Sequence, residues 1–266
     1  MTAPEANIVL ITGASSGIGW ETVKALMLSS RPYHVFVGCL VLSEGENAIL
    51  LLKRDAPRSL SSLEPIQVDI TSDDSIAKCF HTVENASGYI DVLINNAGVS
   101  FQTTEVGMRE AWNRCYDVNV TGTHIMTHTF APLLLRSQDP RLIFLASGLS
   151  SLGAMADTYI PTCMPVPAGW PKPEIHPYQA YRASKTALTM VMLEWHWRLQ
   201  KDGVKTWSVS PGFLATSLTA SFVGKAGAPP VQDPSVGGQL IASVVEGERD
   251  RDVGKVVLKD YHLQPF

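Results

Sequence analysis

The chain is short of charge and of cysteine. Only 17% of its 266 residues are charged, the formal net charge is −4, and no basic run occurs. Nucleic acids and anionic membrane surfaces are recognised through clustered Lys and Arg, so neither is expected as a partner. The four cysteines, Cys39, Cys79, Cys115 and Cys163, are scattered and never form Cys-x-x-Cys. That excludes the usual zinc and dithiol arrangements, and no metal is expected. They read as ordinary thiols of a reducing compartment, which points to a cytoplasmic location. No apolar stretch reaches the length of a membrane span, and residues 1–7 carry no basic stretch before an apolar one, so neither an anchor nor a signal peptide is expected. Internal repeats and low-complexity tails are missing as well. With 45% hydrophobic residues, the chain can bury one substantial core. The expectation is one domain over residues 1–266, working on a small molecule.

What is present begins with a glycine-rich turn between a strand-like run, 7–12, and a helical pattern, 20–28: Gly13-Ala14-Ser15-Ser16-Gly17-Ile18-Gly19. Glycines there let the backbone approach a pyrophosphate, whose charge the free amides of the helix N-terminus stabilise. The strand before and the helix after are the context that raises this above a plain glycine turn. Strands and helices then alternate: strand 34–39, helix 44–53, strand 65–68, helix 73–85, strand 92–95, helical residues 107–135, and strand 141–146. Such alternation implies right-handed βαβ units and a parallel sheet covered on both faces. Ligands of such sheets lie beyond the carboxyl ends of the strands, which places Gly13 to Gly19, Asp69-Ile70 and Asn95-Asn96-Ala97-Gly98 along one rim. Asp69 could accept from an adenine amino group and the Asn95 to Gly98 turn could support a ribose, unless both simply form turns.

Later in the chain, residues 178–201 read as a helix, followed by strand 205–210, helix 234–245 and a last strand 255–259. Leu188, Met192, Trp195 and Leu199 recur at helical spacing and form a packing stripe. His124, His128 and His196 lie on helices and read as surface or packing residues rather than metal ligands. Near the start of the 178–201 helix stand Tyr181 and Lys185, four positions apart and therefore on one face. A tyrosine with a pKa of ~10 is a poor acid or base at neutral pH, but a neighbouring cation favours its phenolate, and the pair could then move protons.

In their order along the chain, Thr12-Gly-Ala-Ser-Ser-Gly-Ile-Gly19, Asp69, Asn95-Asn-Ala-Gly98, Asn119, Ser147, Tyr181-x-x-x-Lys185 and Pro211-Gly212 with Thr216 resemble the short-chain dehydrogenase/reductase family. The resemblance spans nearly the whole chain. It implies a Rossmann-type, doubly wound α/β fold, a seven-stranded parallel sheet with helices on both faces, and NAD or NADP as hydride carrier. Carried onto matching positions, it implies that Tyr181 is the general acid or base and Ser147 holds the substrate oxygen. Lys185 would lower the Tyr pKa and grip the nicotinamide ribose, and Asn119 would order a proton-relay water. The cofactor would touch Gly13, Ser15, Ser16, Gly17, Ile18, Gly19, Asp69, Ile70, Asn96, Ala97, Gly98, Tyr181, Lys185, Pro211, Gly212, Leu214 and Thr216. For Ser147 a strand-end cap, and for Asn119 a helix-interior group bonded to backbone, are the bland alternatives.

The chain departs from the family in two places. At the end of the second strand, where an acid would bond a ribose 2′-hydroxyl, stands Gly38-Cys39-Leu40. The missing acid favours NADP, with Ser15 and Ser16 as hydroxyl donors, although the Arg that often follows is Leu40; NAD is the alternative. The second departure is length, since Ser147 and Tyr181 are 181 − 147 = 34 positions apart. The insert, about 152–177, carries Pro161, Pro165, Pro167, Pro171, Pro173 and Pro177 with Tyr159, Trp170 and His176, a density that forbids a long helix. It resembles inserts of monomeric carbonyl reductases, which cover an oligomerisation surface. A monomer is therefore expected, with a homo-oligomer and a cleft lid as alternatives. The substrate loop, about 213–231, contains Phe213, Leu214, Leu218, Phe222 and Val223, and with Phe101 and Met155 it suggests an apolar ketone or aldehyde. Reduction with NADPH is the leading expectation. Alcohol oxidation, a non-redox or bifunctional biosynthetic enzyme and a cofactor-binding regulator are the alternatives.

Overall fold

The computed structural model describes residues 6–101, 106–156, 167–172, 178–220 and 230–266. β1 (Asn7–Ile11), β2 (Tyr33–Cys39), β3 (Ser62–Gln67), β4 (Val92–Asn95), β5 (Arg141–Leu145), β6 (Lys205–Val209), β7 (Val256–Val257) and β8 (Leu263–Gln264) form a single sheet in the order β3-β2-β1-β4-β5-β6-β7-β8. The first seven strands run parallel, as the alternating pattern implies, and β8 pairs antiparallel with β7. This eighth strand is an addition to the expected seven. It is two residues long and leaves no hydrophobic period to read in the sequence.

The helices are α1 (Gly17–Leu28), α2 (Leu42–Asp55), α3 (Asp73–Ser87), α4 (Met108–Tyr116), α5 (Thr123–Leu134), the short α6 (Leu152–Ala156), α7 (Gln179–Leu199) and α8 (Pro234–Val245). Each face of the sheet has its own core. On one, Val23, Leu26 and Met27 of α1 and Leu240, Ile241 and Val244 of α8 pack on Val9, Ile11, Val35 and Val37. On the other, Val83 of α3, Met126 and Phe130 of α5, and Leu188, Met192, Trp195 and Leu199 of α7 pack on Leu10, Phe36, Leu93 and Phe144. The predicted α7 stripe is thus core, each fully buried side chain contributing about 1.5–3 kcal/mol. His124 is exposed and accepts from the Trp195 indole at 3.2 Å.

The long helical stretch after β4 is not continuous α-helix. Between α4 and α5 the turns widen into a π-helix over Asp117–Gly122 that contains Asn119. Gly122 explains the location: a methyl there would stand 2.2 Å from the Ile70 carbonyl oxygen, so only glycine lets this turn press against the end of β3. Of the proline-rich insert, 167–172 and the five-residue α6 are described, and Trp170 is exposed. Tyr159, Pro161, Cys163, Pro165, Pro173, His176 and Pro177 lie outside the described residues, as do Phe222 and Val223 of the substrate loop. No helix among the described residues is long and apolar enough to cross a membrane.

Candidate active site

One cleft of about 1640 Å³ runs along the carboxyl ends of the strands. At its first end β1 delivers the chain into the glycine turn. Gly13 and Gly17 have φ of +63° and +56°, which side chains with a Cβ rarely adopt. A methyl on Gly19 would stand 2.4 Å from the Gly13 carbonyl oxygen, whereas Gly17 meets nothing nearer than a Thr216 methyl at 3.8 Å. The turn is therefore closed behind and open toward the cleft. Ser16 caps α1 without a side-chain hydrogen bond, and the first turn of α1 carries no acid, so its amides offer an anion site. Ser15, Ser16, Gly17 and Ile18 all line the cleft. This cradle fits the pyrophosphate of a dinucleotide.

The Asn95 to Gly98 turn is locked onto that cradle. Asn96 Nδ2 donates to the Thr12 and Gly13 carbonyls at 2.8 and 2.9 Å, and Thr12 Oγ1 accepts from the Asn96 and Ala97 amides at 3.1 and 3.0 Å. The Asn96 side chain is consumed in shaping the glycine turn, which leaves the backbone of Ala97 and Gly98 facing the cleft. Asp69 Oδ1 accepts from the Thr71 amide and hydroxyl at 2.9 and 2.7 Å. It is a turn former at one oxygen, and it lines the cleft together with Ile70. Leu40 and Glu44 complete this end. Pro211, Gly212, Leu214 and Thr216 line the opposite wall, with Thr216 and Thr219 closing a reciprocal cap around Ser217–Thr219.

In the middle of the cleft, β5 ends at Ser147. Its hydroxyl accepts from the Leu149 amide at 3.2 Å, and Ser147 lines the cleft together with Tyr181. Ser147 thus caps the short turn Gly148–Ser150, as the cap reading expects. Lys185 is 4% exposed; its ammonium donates to the Leu145 carbonyl at 2.7 Å and lies 5.9 Å from the centre of the Tyr181 ring. A methyl on Gly98 would come within 3.2 Å of that ammonium, so the Asn95 to Gly98 turn also makes room for it.

Burial holds the Tyr181 phenol above its ordinary pKa, while Ser147 lowers it and Cys115 adds to the rise. The Lys185 pKa is brought by burial down to about 8, against an opposing influence from Cys115. Two cleft groups thus share one desolvated pocket, which disfavours the charged form of each.

The Asn119 side chain is fully buried, accepting from the Val99 amide and donating to the Val99 carbonyl and the Ser184 hydroxyl. The backbone-bonded alternative describes it, and its side chain is committed to protein partners. Ser184, which reasoning from sequence missed, joins this network and donates to the Tyr181 carbonyl at 2.8 Å. Its place between Tyr181 and Lys185 was the available signal.

The far end of the cleft is apolar and aromatic. Trp112 and Tyr116 stack with ring centres 6.1 Å apart, and Leu149, Met155, Tyr178, Phe213, Leu218 and Phe266 share the lining. Phe101 does not line the cleft; it packs behind Tyr181 with Ala111, Cys115 and Ala180.

Residues 7–158 match the family described as short chain dehydrogenase. Over 266 residues, all of both chains, this chain is 67% identical to the short-chain dehydrogenase/reductase tropE of Talaromyces stipitatus. It is 46% identical over 254 residues to the short-chain dehydrogenase/reductase eupG of a Phoma species, covering 91% of each. Among solved structures, the 3-oxoacyl-[acyl-carrier protein] reductase of Brucella melitensis in complex with NAD superposes with a TM-score of 0.74 at 20% identity, over 96% of this chain and 95% of that one. That likeness shows the fold, and the sequence matches show the rest: this chain belongs to the short-chain dehydrogenase/reductase family and is an NAD(P)-dependent oxidoreductase.

Proposed function

We propose that the protein reduces an apolar ketone or aldehyde to an alcohol. When bound, the nicotinamide supplies the hydride. The chain's own residues serve the oxygen. Charge grows there as the carbonyl carbon is reduced, and donors already placed at that point stabilise the transition state most. Ser147 holds the substrate oxygen and Tyr181 gives it a proton. Lys185 holds the nicotinamide ribose and returns positive charge to the pocket, while Asn119 fixes the wall on which Lys185 rests. The observation that carries this reading is geometric: Ser147, Tyr181 and Lys185 line one cleft, with the Lys185 ammonium 5.9 Å from the centre of the Tyr181 ring.

The aromatic lining supports a planar, apolar substrate. Following coenzyme absorbance across a carbonyl panel tests this reading. Consumption with aromatic ketones or aldehydes is expected, and bound coenzyme without turnover across the panel would favour a non-redox enzyme or a regulator.

Two coenzyme readings rest on separate observations. The absence of an acid at the end of β2, with Ser15 and Ser16 across the cleft, supports NADPH. Glu44 favours NADH: it lines the cleft beside Leu40, and the only cations among the described lining residues, Arg182 and Lys185, are both on α7. A 2′-hydroxyl can donate to a carboxylate that would repel a 2′-phosphate. Rates with the two coenzymes at equal concentration decide between them. The insert's resemblance to covers of monomeric carbonyl reductases supports a monomer, which a stable tetramer in sedimentation would overturn.

A further inference from the structure

We propose that Gln264 of β8 is a positioning residue for the Ser147 hydroxyl; this rests on the reading of Ser147 as the group that holds the substrate oxygen. The Gln264 side chain is buried beneath the Ser147–Ser150 turn, where Nε2 donates to the Ser147 carbonyl and to the Ser150 hydroxyl, both at 3.1 Å. Ser150 spends its own hydroxyl proton on the Ser147 carbonyl at 2.7 Å, so toward Gln264 it can only accept. The Ser147 carbonyl can only accept as well. Both contacts therefore require the NH₂ end of the amide, which fixes its orientation.

The turn is gripped from two sides. From α7, Thr186 donates to the Ser150 carbonyl at 3.0 Å; from β8, Gln264 takes the Ser147 carbonyl. Tyr181 rides on α7 and Ser147 on the turn, so these two struts set the distance between the two hydroxyls. The hairpin that delivers Gln264 is itself anchored. Buried Arg249 donates to the Leu258 and His262 carbonyls at 2.7 and 3.1 Å, pairs with Asp252 at 2.6 Å, and accepts the Trp207 indole on its own carbonyl at 3.0 Å. The hairpin is thereby bolted to the sheet through β6.

Stability alone does not account for an amide at this place. Gln264 Oε1 is buried without a protein partner, and an apolar side chain of similar shape would avoid that cost. What the amide supplies that an apolar side chain does not is a fixed hold on the Ser147 backbone.

The test uses Gln264→Met, which keeps length and loses both donors, and Gln264→Asn, which withdraws the amide by one methylene. Four quantities are read: melting temperature, NADH and NADPH affinity by fluorescence titration, kcat and KM with a carbonyl compound the parent reduces, and Tyr181 ionisation. The last is the difference in ultraviolet absorbance titration between each chain and its Tyr181→Phe counterpart. Ser147 lowers the Tyr181 pKa, so loosening Ser147 moves that titration to higher pH. The expected result is this upward move, with kcat lower by about tenfold and with melting temperature and coenzyme affinity retained. Variants that titrate and turn over like the parent overturn the proposal, as does a kcat loss matched by equal losses of coenzyme affinity and melting temperature. If Ser147→Ala keeps full turnover, the reading of Ser147 fails, and this inference fails with it. If Ser147→Ala is inactive while both Gln264 variants are normal, only this inference fails. Should no carbonyl compound be reduced, the Tyr181 titration decides.

Discussion

Asn119 Nδ2 donates to the Ser184 hydroxyl at 2.9 Å, and this bond ties the π-helical turn to the helix that carries Tyr181 and Lys185. The same amide serves both the N–H and the C=O of Val99, at 2.8 and 2.9 Å. Asn119→Leu would leave these partly buried Val99 groups without their protein partner, at an expected cost of about 1–3 kcal/mol. Ser184→Ala removes one partner of the network and should cost about 1 kcal/mol. Urea unfolding midpoints with unchanged slope measure both. An Asn119→Leu chain as stable as the parent would remove the strut role.

Tyr181→Phe tests the proton donor without disturbing the packing, because the ring stays and only the hydroxyl goes. Turnover should fall by roughly 10²–10⁴-fold, the usual contribution of a positioned acid. Coenzyme affinity should stay within about threefold, since the pyrophosphate cradle is built by other elements. Steady-state kinetics and fluorescence titration on one preparation measure the pair, and undiminished turnover would sink the assignment.

The sequence announced the glycine cradle because strand, glycine turn and helix follow one another locally, each with its own pattern. It announced the Tyr181 and Lys185 pairing because helical spacing is arithmetic. It was silent on what depends on burial. Four residues of spacing put an ammonium beside a ring, but not that the pocket is desolvated enough to raise the phenol and lower the amine. The sequence pattern places Asn119 in an ordinary helix because π-turns have no pattern of their own, and the close approach of Gly122 to Ile70 joins residues far apart in sequence. Phe101 is expected near the cleft, yet a loop residue's direction is set by its packing partners, here Ala111 and Cys115. β8 and Gln264 were missed because a two-residue strand is defined by its partner rather than by its own residues.

Lys185 sets up a conflict between stability and activity. Its pKa is about 8 in the folded chain against an ordinary 10.5, so between those values the unfolded chain binds more protons and stability rises with pH. Below about pH 8 the full penalty applies, approaching roughly 3 kcal/mol for a shift of this size. Lys185→Met removes the penalty and orphans the Leu145 carbonyl, which returns about 1–2 kcal/mol of it. The variant should therefore be about 1–2 kcal/mol more stable than the parent at pH 7 while losing turnover. That advantage should fade as the pH rises through 8 and past 10.5, above which the parent's lysine is neutral in both states. Denaturant melts across this range measure it. A variant less stable than the parent at pH 7 would mean that the buried ammonium is compensated.

Glu44 stands in the first turn of α2 and lines the cleft, while Glu46, two positions further along the same helix, does not line it. A carboxylate here acts on a 2′-phosphate dianion through solvent, so each unit of charge is worth about 1 kcal/mol or less. Glu44→Lys changes the local charge by two units and should raise the NADPH to NADH ratio of kcat/KM by roughly 5–30-fold. Glu44→Gln should give a smaller change in the same direction. Glu46→Lys alters net charge equally without facing the cleft, and should leave the ratio near that of the parent. Because the interaction passes through solvent, the Glu44→Lys gain should shrink as salt shortens the Debye length from about 10 Å at 0.1 M to about 3 Å at 1 M. Equal ratios for Glu44→Lys and Glu46→Lys would show that position 44 does not read the ribose, and coenzyme choice would then rest on Leu40, Ser15 and Ser16.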